Sequence, residues 1–180
     1  IVGTRRCGKT YRLFQELRDV ARAGYDPEMM LYFNFEDERL KPYSASLLTD
    51  VLDTFFAMRP KAHEEGCFLF FDEIQEVPDW SLFLRRVIDS TKATVYVTGS
   101  SSKMLSSELS SEFRGRSLSR ELFPLSFSEF VRRMGDADLS SSKGFSSSDA
   151  AVARGALSEY LLRGGYMAAL DLPVSDGMML

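Results

Sequence analysis

Histidine and cysteine are scarce in this chain, with one His and two Cys among 180 residues. No cluster of the two has metal-ligand spacing, and no Ser/His/Asp spacing invites a triad hydrolase. The single histidine, His63, lies in the polar stretch from Lys61 to Gly66, which reads as a solvated turn. Cys67 opens an apolar strand whose far end should face the loop that carries Cys7. Five residues of strand span roughly 16 Å, beyond disulfide reach. Two free thiols fit a reducing, cytoplasmic compartment. Positive charge is not in excess either: the net charge is −4, so no global basic field draws nucleic acid, although a local patch is compatible with that total. No hydrophobic run approaches the length of a membrane span, and no internal repeat is visible. What is present is ordinary globular composition, 44% hydrophobic and 27% charged, in a length suited to one domain with room for a fragment of a second.

The densest chemistry comes first. Gly3-Thr4-Arg5-Arg6-Cys7-Gly8-Lys9-Thr10 has the spacing of a phosphate-binding P-loop: Gly, four residues, Gly-Lys, then a hydroxyl. Gly3 and Gly8 allow backbone angles that a Cβ would disfavour. The loop's N–H groups can then form an anion-binding nest at the start of a helix. Lys9 is placed to reach the β- and γ-phosphates, and the Thr10 hydroxyl to ligate Mg²⁺. The nucleotide-binding set is Gly3, Thr4, Arg5, Arg6, Cys7, Gly8, Lys9, Thr10 and Tyr11. For Arg5 and Arg6, a packing or ion-pair role competes with a ligand role. Only Ile1 and Val2 precede the motif, where a P-loop normally follows a complete strand, so the first strand reads as truncated.

Downstream, strands and helices alternate. Thr10 to Ala23 carries Leu13, Phe14, Leu17 and Val20 at helical spacing, with Gly24 as a stop. Met29 to Phe35 is a strand candidate. A helix capped by Ser44 or Ser46 carries Leu47, Leu48, Val51, Leu52, Phe55 and Phe56, and Pro60 ends it. Cys67 to Phe71 is a continuous apolar run suited to a central parallel strand buried on both faces. Pro78 and Asp79 open a helix with Trp80, Phe83, Leu84, Val87 and Ile88. Ala93 to Val97 is a further strand. A helix with Leu105, Leu109 and Phe113 on one face follows, then a strand from Ser117 to Leu122, a short helix from Phe127 to Met134, and a final helix from about Asp149 to Arg163. This alternation predicts an α/β fold with a central, mainly parallel sheet: the three-layer α/β/α sandwich of a P-loop NTPase. Ligands in such sheets sit at the carboxyl ends of the strands, so Gly3 to Thr10, Asp72-Glu73 and Thr98 to Ser100 should meet.

That meeting point supplies a chemistry. Asp72 ends a buried strand, where an unpaired charge is costly; as a Walker B acid it would hold Mg²⁺, and Glu73 could orient and deprotonate the attacking water. The plainer alternative is two acids at an exposed strand end, or a helix-capping Asp72. Ser100 reads as a sensor of the γ-phosphate or the water, or as the N-cap of the next helix, which Ser101 or Ser102 could supply equally well. Arg114 and Arg116 flank Gly115 in a flexible loop with the reach of an arginine finger. Ion pairs to Glu112 or Glu121 are the alternative.

Together these stretches resemble one family. The P-loop is followed by Tyr32 to Leu40, by Phe71-Asp72-Glu73-Ile74-Gln75 with Pro78 and Trp80, and by Val97-Thr98-Gly99-Ser100-Ser101-Ser102. Phe113-Arg114-Gly115-Arg116-Ser117 and Pro124-Leu125-Ser126-Phe127 come next. The succession resembles the AAA-type ATPases of bacteria and archaea called simply "ATP-binding protein". The likeness resumes at Tyr160 to Tyr166, which is similar to the entry of that family's C-terminal domain of unknown function. The resemblance implies an ATP- and Mg²⁺-dependent hydrolase core with an AAA/RecA-like strand order. It also implies a sensor at Ser100, catalytic arginines at Arg114 and Arg116, and a longer parent protein. Residues 1–135 would be the ATPase core, 136–148 a Ser-rich flexible linker, and 149–180 the helical start of a truncated C-terminal region. Expected partners are ATP, further copies of the chain, and a nucleic acid or protein engaged through the C-terminal region, with no membrane. A nucleotide-binding module without turnover and a P-loop phosphotransferase are the competing functions.

Overall fold

The structure is a computed structural model that describes residues 1–44, 46–100, 113, 115–134 and 147–170. These residues group into two compact units, Ile1–Gly3 with Lys9–Leu122, and Thr4–Gly8 with Phe123–Leu180.

The first unit is built on strands β1 (Val2–Gly3), β2 (Met30–Asn34), β3 (Phe68–Asp72), β4 (Thr94–Val97), β5 (Gly99–Ser100) and β6 (Glu121–Leu122). All the pairings are parallel. One sheet has the order β2-β3-β4 and the other β5-β1-β6. Thr98 is the hinge between them: β4 pairs with β3 before it, and β5 pairs with β1 after it. The Ile1 amino group donates to Val97 O at 2.7 Å and Gly99 N to Ile1 O at 3.2 Å, which closes the seam. Read across, the strands run β2, β3, β4/β5, β1, β6.

Strand β3 shows why its sequence is apolar throughout. Phe70 and the half-buried Phe68 pack with Leu13, Leu17 and Val20 of α1 (Lys9–Arg22). Leu69 and Phe71 face the other way, toward α2 (Leu47–Met58) and α4 (Trp80–Ser90), among Leu48, Leu52, Phe55, Phe83 and Val87. Alternate residues therefore serve opposite faces, and the unit is a three-layer α/β/α sandwich. Leu69, Phe70 and Phe71 are fully buried, each contributing about 1.5–3 kcal/mol from apolar burial. The expected α1 face holds, except that Phe14 is exposed at the rim, where its ring lies 5.0 Å from that of Tyr32.

Several local expectations change. Pro60 ends α2 and also starts α3 (Pro60–Glu65), because a proline at the first helical position gives up no hydrogen bond. His63 is thus helical; it is exposed and its ring packs edge-on against Phe56 at 4.8 Å. The strand expected from Ser117 to Leu122 is confined to β6. The expected helix around Leu105 and Leu109 lies outside the described residues. So does most of the Ser-rich linker, though Ser147 and Ser148 belong to a helix.

The second unit contains α5 (Phe127–Met134), α6 (Ser147–Arg163) and α7 (Met167–Leu170). Ser126 and Glu129 form a capping box at the start of α5: Glu129 Oε2 accepts from Ser126 N at 2.8 Å, and Glu129 N donates to Ser126 Oγ at 3.4 Å. The bonds that the Glu129 carboxyl accepts from Ser126, from its N–H foremost and then from its hydroxyl, hold it below its usual range. Tyr160 packs on Phe127 and Phe130 and donates to Leu125 O at 2.8 Å. Leu125 N in turn donates to Gly165 O at 2.7 Å. A Cβ on Gly165 would stand 2.2 Å from Leu125 O and 2.9 Å from Leu125 N. Gly165→Ala should therefore break this strap and destabilise the protein by about 1–3 kcal/mol. Chemical denaturation checks this; an unshifted midpoint would show that the strap yields freely.

Candidate functional site

Along the chain, Thr4 to Gly8 join the end of β1 to the start of α1. Within this loop Cys7 N donates to Thr4 O at 3.4 Å, and Gly8 has φ 98°, a value that favours glycine. The expectation for Gly3 is corrected: it is a buried strand residue paired in register with Ser100 and Leu122. The second left-handed position is Arg6, at φ 65°. Thr4, Arg5 and Arg6 are exposed, Cys7 and Gly8 are half-buried, and Tyr11 is exposed on the first turn of α1.

Inside the first unit, the ends of α1, β3 and β4 do converge. Lys9 and Asp72 are buried at 4% and 1% exposure. Lys9 Nζ lies 3.3 Å from Glu73 Oε1. Asp72 accepts a short hydrogen bond on Oδ1 from the Thr98 hydroxyl and one on Oδ2 from Tyr32 OH at 3.3 Å. Burial, reinforced by the Asp72 charge and hydrogen bond, pushes the Tyr32 phenol up to about 12, so it stays a donor at any working pH.

Thr98 is the residue that sequence reasoning passed over in favour of Ser100. It is fully buried, and its Oγ1 also accepts from Glu73 N at 3.0 Å while its carbonyl accepts from Ile74 N at 3.3 Å. One threonine thus fixes Asp72 through its side chain and Glu73 through its backbone. The available signal was a hydroxyl placed directly between an apolar strand and a glycine. Ser100 is half-buried in β5.

Glu73 itself is left-handed, at φ 54° and ψ 42°. A non-glycine residue in this region is uncommon and is held there by its surroundings. The turn redirects the chain out of β3 and leaves the carboxylate beside Lys9.

Among the described residues no cationic side chain pairs with Asp72. Hydroxyls meet both of its carboxylate oxygens, and each oxygen retains a lone pair. This donor set, with the Thr10 hydroxyl on the first turn of α1, fits Mg²⁺, which takes one or two carboxylates and completes its shell with water and phosphate. No group of three or more His, Cys, Asp or Glu side chains forms a protein-only metal cage among the described residues.

Arg116 stands apart from this cluster. Arg114 lies outside the described residues. Arg116 is exposed and makes a short ion pair with Asp89 near the C-terminal end of α4. That end of the helix leads into the start of β4, whereas Thr98 follows the strand's other end. Among the described residues the partner of Arg116 is Asp89 and not Glu121, while Glu112 lies outside the described residues. No described helix is long and apolar enough to cross a membrane.

Comparison with known proteins places this geometry in a family. A family model described as "AAA domain" matches residues 1–131. "Uncharacterized protein MJ1544" of Methanocaldococcus jannaschii is 41% identical over 132 residues, covering 73% of this chain and 27% of that protein. An "Uncharacterized protein" of Haemophilus influenzae is 31% identical over 133 residues, covering 73% of this chain and 32% of its own. The chain thus spans less than a third of the length of these relatives. With its P-loop, its parallel sheets between helices and its acid pair at the end of β3, the chain belongs to the AAA domain family.

Proposed function

We propose that this chain is an ATP-binding and ATP-hydrolysing module that serves as a switch or motor for other parts of a longer protein. The observation that carries the reading is the Lys9 Nζ to Glu73 Oε1 distance of 3.3 Å: the cation meant for phosphate and the acid meant for water already share one locus. In the reaction, the P-loop N–H groups and Lys9 bind the phosphates. Glu73 accepts a proton from water as its oxygen bonds to the γ-phosphorus, and the bond to the β-γ bridging oxygen breaks to release ADP. Asp72 and Thr10 would hold Mg²⁺, which supplies neutralisation of charge on the phosphate oxygens. Thr98 and Tyr32 keep the Asp72 carboxylate oriented. A nucleic acid or protein partner would act through regions beyond this module.

The test is phosphate release from ATP by the full-length protein with water as the sole acceptor. Mg²⁺-dependent release supports hydrolysis. Release only with an added small-molecule acceptor would indicate a phosphotransferase, and saturable ATP binding without release would indicate a module without turnover.

A further inference from the structure

We propose that Gln75 is the positioning residue for Glu73, keeping that carboxylate aimed once the phosphates of ATP draw Lys9 away from it. The inference rests on the hydrolytic reading above.

The Glu73 carboxylate is held at both oxygens. Oε1 faces Lys9 Nζ at 3.3 Å, and Oε2 accepts from Gln75 Nε2 at 2.6 Å. The two holds differ in permanence. Lys9 belongs to the P-loop motif and is needed by the ligand. Gln75 sits in the 3₁₀ turn Ile74–Glu76 directly after Glu73, and phosphate has no claim on it. The backbone of Glu73 is already pinned through Thr98, so the remaining freedom is in its side-chain torsions. Each of its sp³ torsions has three staggered wells. Without a second hold, a carboxylate released by Lys9 would sample them.

The amide orientation follows from its neighbours. Glu73 Oε2 and, at 3.4 Å, Glu76 Oε1 both lie at one end of it, and only the NH₂ group can donate to carboxylates. The other end, Oε1, is buried and accepts no hydrogen bond among the described residues. An unsatisfied buried acceptor is a cost, which a methionine or leucine of similar length would avoid. The glutamine therefore keeps the Nε2 bond to Glu73 at the expense of its own carbonyl.

The experiment uses the full-length protein and compares Gln75→Met, which keeps length but removes the donor, with Gln75→Glu, which replaces the donor by a like charge. Expected for Gln75→Met is a kcat lower by roughly tenfold to a hundredfold with ATP affinity unchanged, the pattern of a misaimed group. Gln75→Glu should lose more. In a Glu73→Gln background, Gln75→Met should cause no further loss, because Gln75 acts through Glu73. Wild-type kcat in Gln75→Met, a parallel loss of ATP affinity, or an equal added loss in the Glu73→Gln background would each overturn the proposal. If the wild-type protein releases no phosphate at all, the hydrolytic reading falls and takes this one with it. If the wild type turns over and Gln75→Met matches it, this inference alone fails.

Discussion

Lys9→Ala should abolish ATP binding. Lys9 is almost fully buried at the start of α1, where its ammonium pairs with Glu73. It contributes a compact ammonium with three donors to a ligand whose terminal phosphates carry several negative charges. Hydrogen bonds between ionised groups are worth about 1.5–3 kcal/mol each. Losing one or two of them lowers affinity on the order of a hundredfold or more. The substitution also strips Glu73 of its counter-charge and leaves that carboxylate facing the incoming phosphates, which adds repulsion to the lost attraction. Titration calorimetry should show saturable heat for the wild type and none for the variant at the same concentrations, with folding confirmed by circular dichroism. Equal affinity in the two proteins would remove Lys9 from the phosphate site.

Much of this arrangement was legible because it is written in local patterns. The run Cys67 to Phe71 announced a central strand, since both of its faces are covered, by α1 on one side and by α2 and α4 on the other. The glycine-rich loop and the acids at the end of β3 announced the residues that α1 and β3 bring together, Lys9 beside Glu73. What sequence did not disclose depends on contacts between distant residues. Thr98 and Asp72 lie 26 positions apart, and their bond exists only because β3 and β4 run parallel in register. The left-handed turn at Glu73 is invisible for a related reason. No glycine marks it; the hydroxyl of Thr98 receives the Glu73 N–H instead. Arg116 illustrates the opposite case. Its loop reads as having the reach of an arginine finger, yet Arg116 pairs with Asp89 on α4, an ion pair that no local spacing specifies.

Glu73→Gln should preserve ATP binding and nearly stop turnover. The amide keeps the size of the carboxylate, so it fits the same left-handed turn, and its oxygen can still accept from Gln75. What it loses is the ability to take a proton from water. General-base catalysis contributes about 10²–10⁴-fold, and the fall in kcat should be of that order. Binding should be equal or tighter, because the ion pair that Lys9 now makes with Glu73 is one that phosphate must displace; an uncharged side chain competes less for the ammonium. The two effects separate this residue from Lys9, whose loss removes binding first. They also separate it from a structural role, which would lower the melting temperature and affect binding and turnover together. Fluorescent-nucleotide titration and phosphate release on the same full-length preparation read both quantities. Unchanged turnover in the variant would exclude Glu73 as the base. A loss of ATP binding would show instead that the carboxylate is needed to hold Lys9 in place for the phosphates.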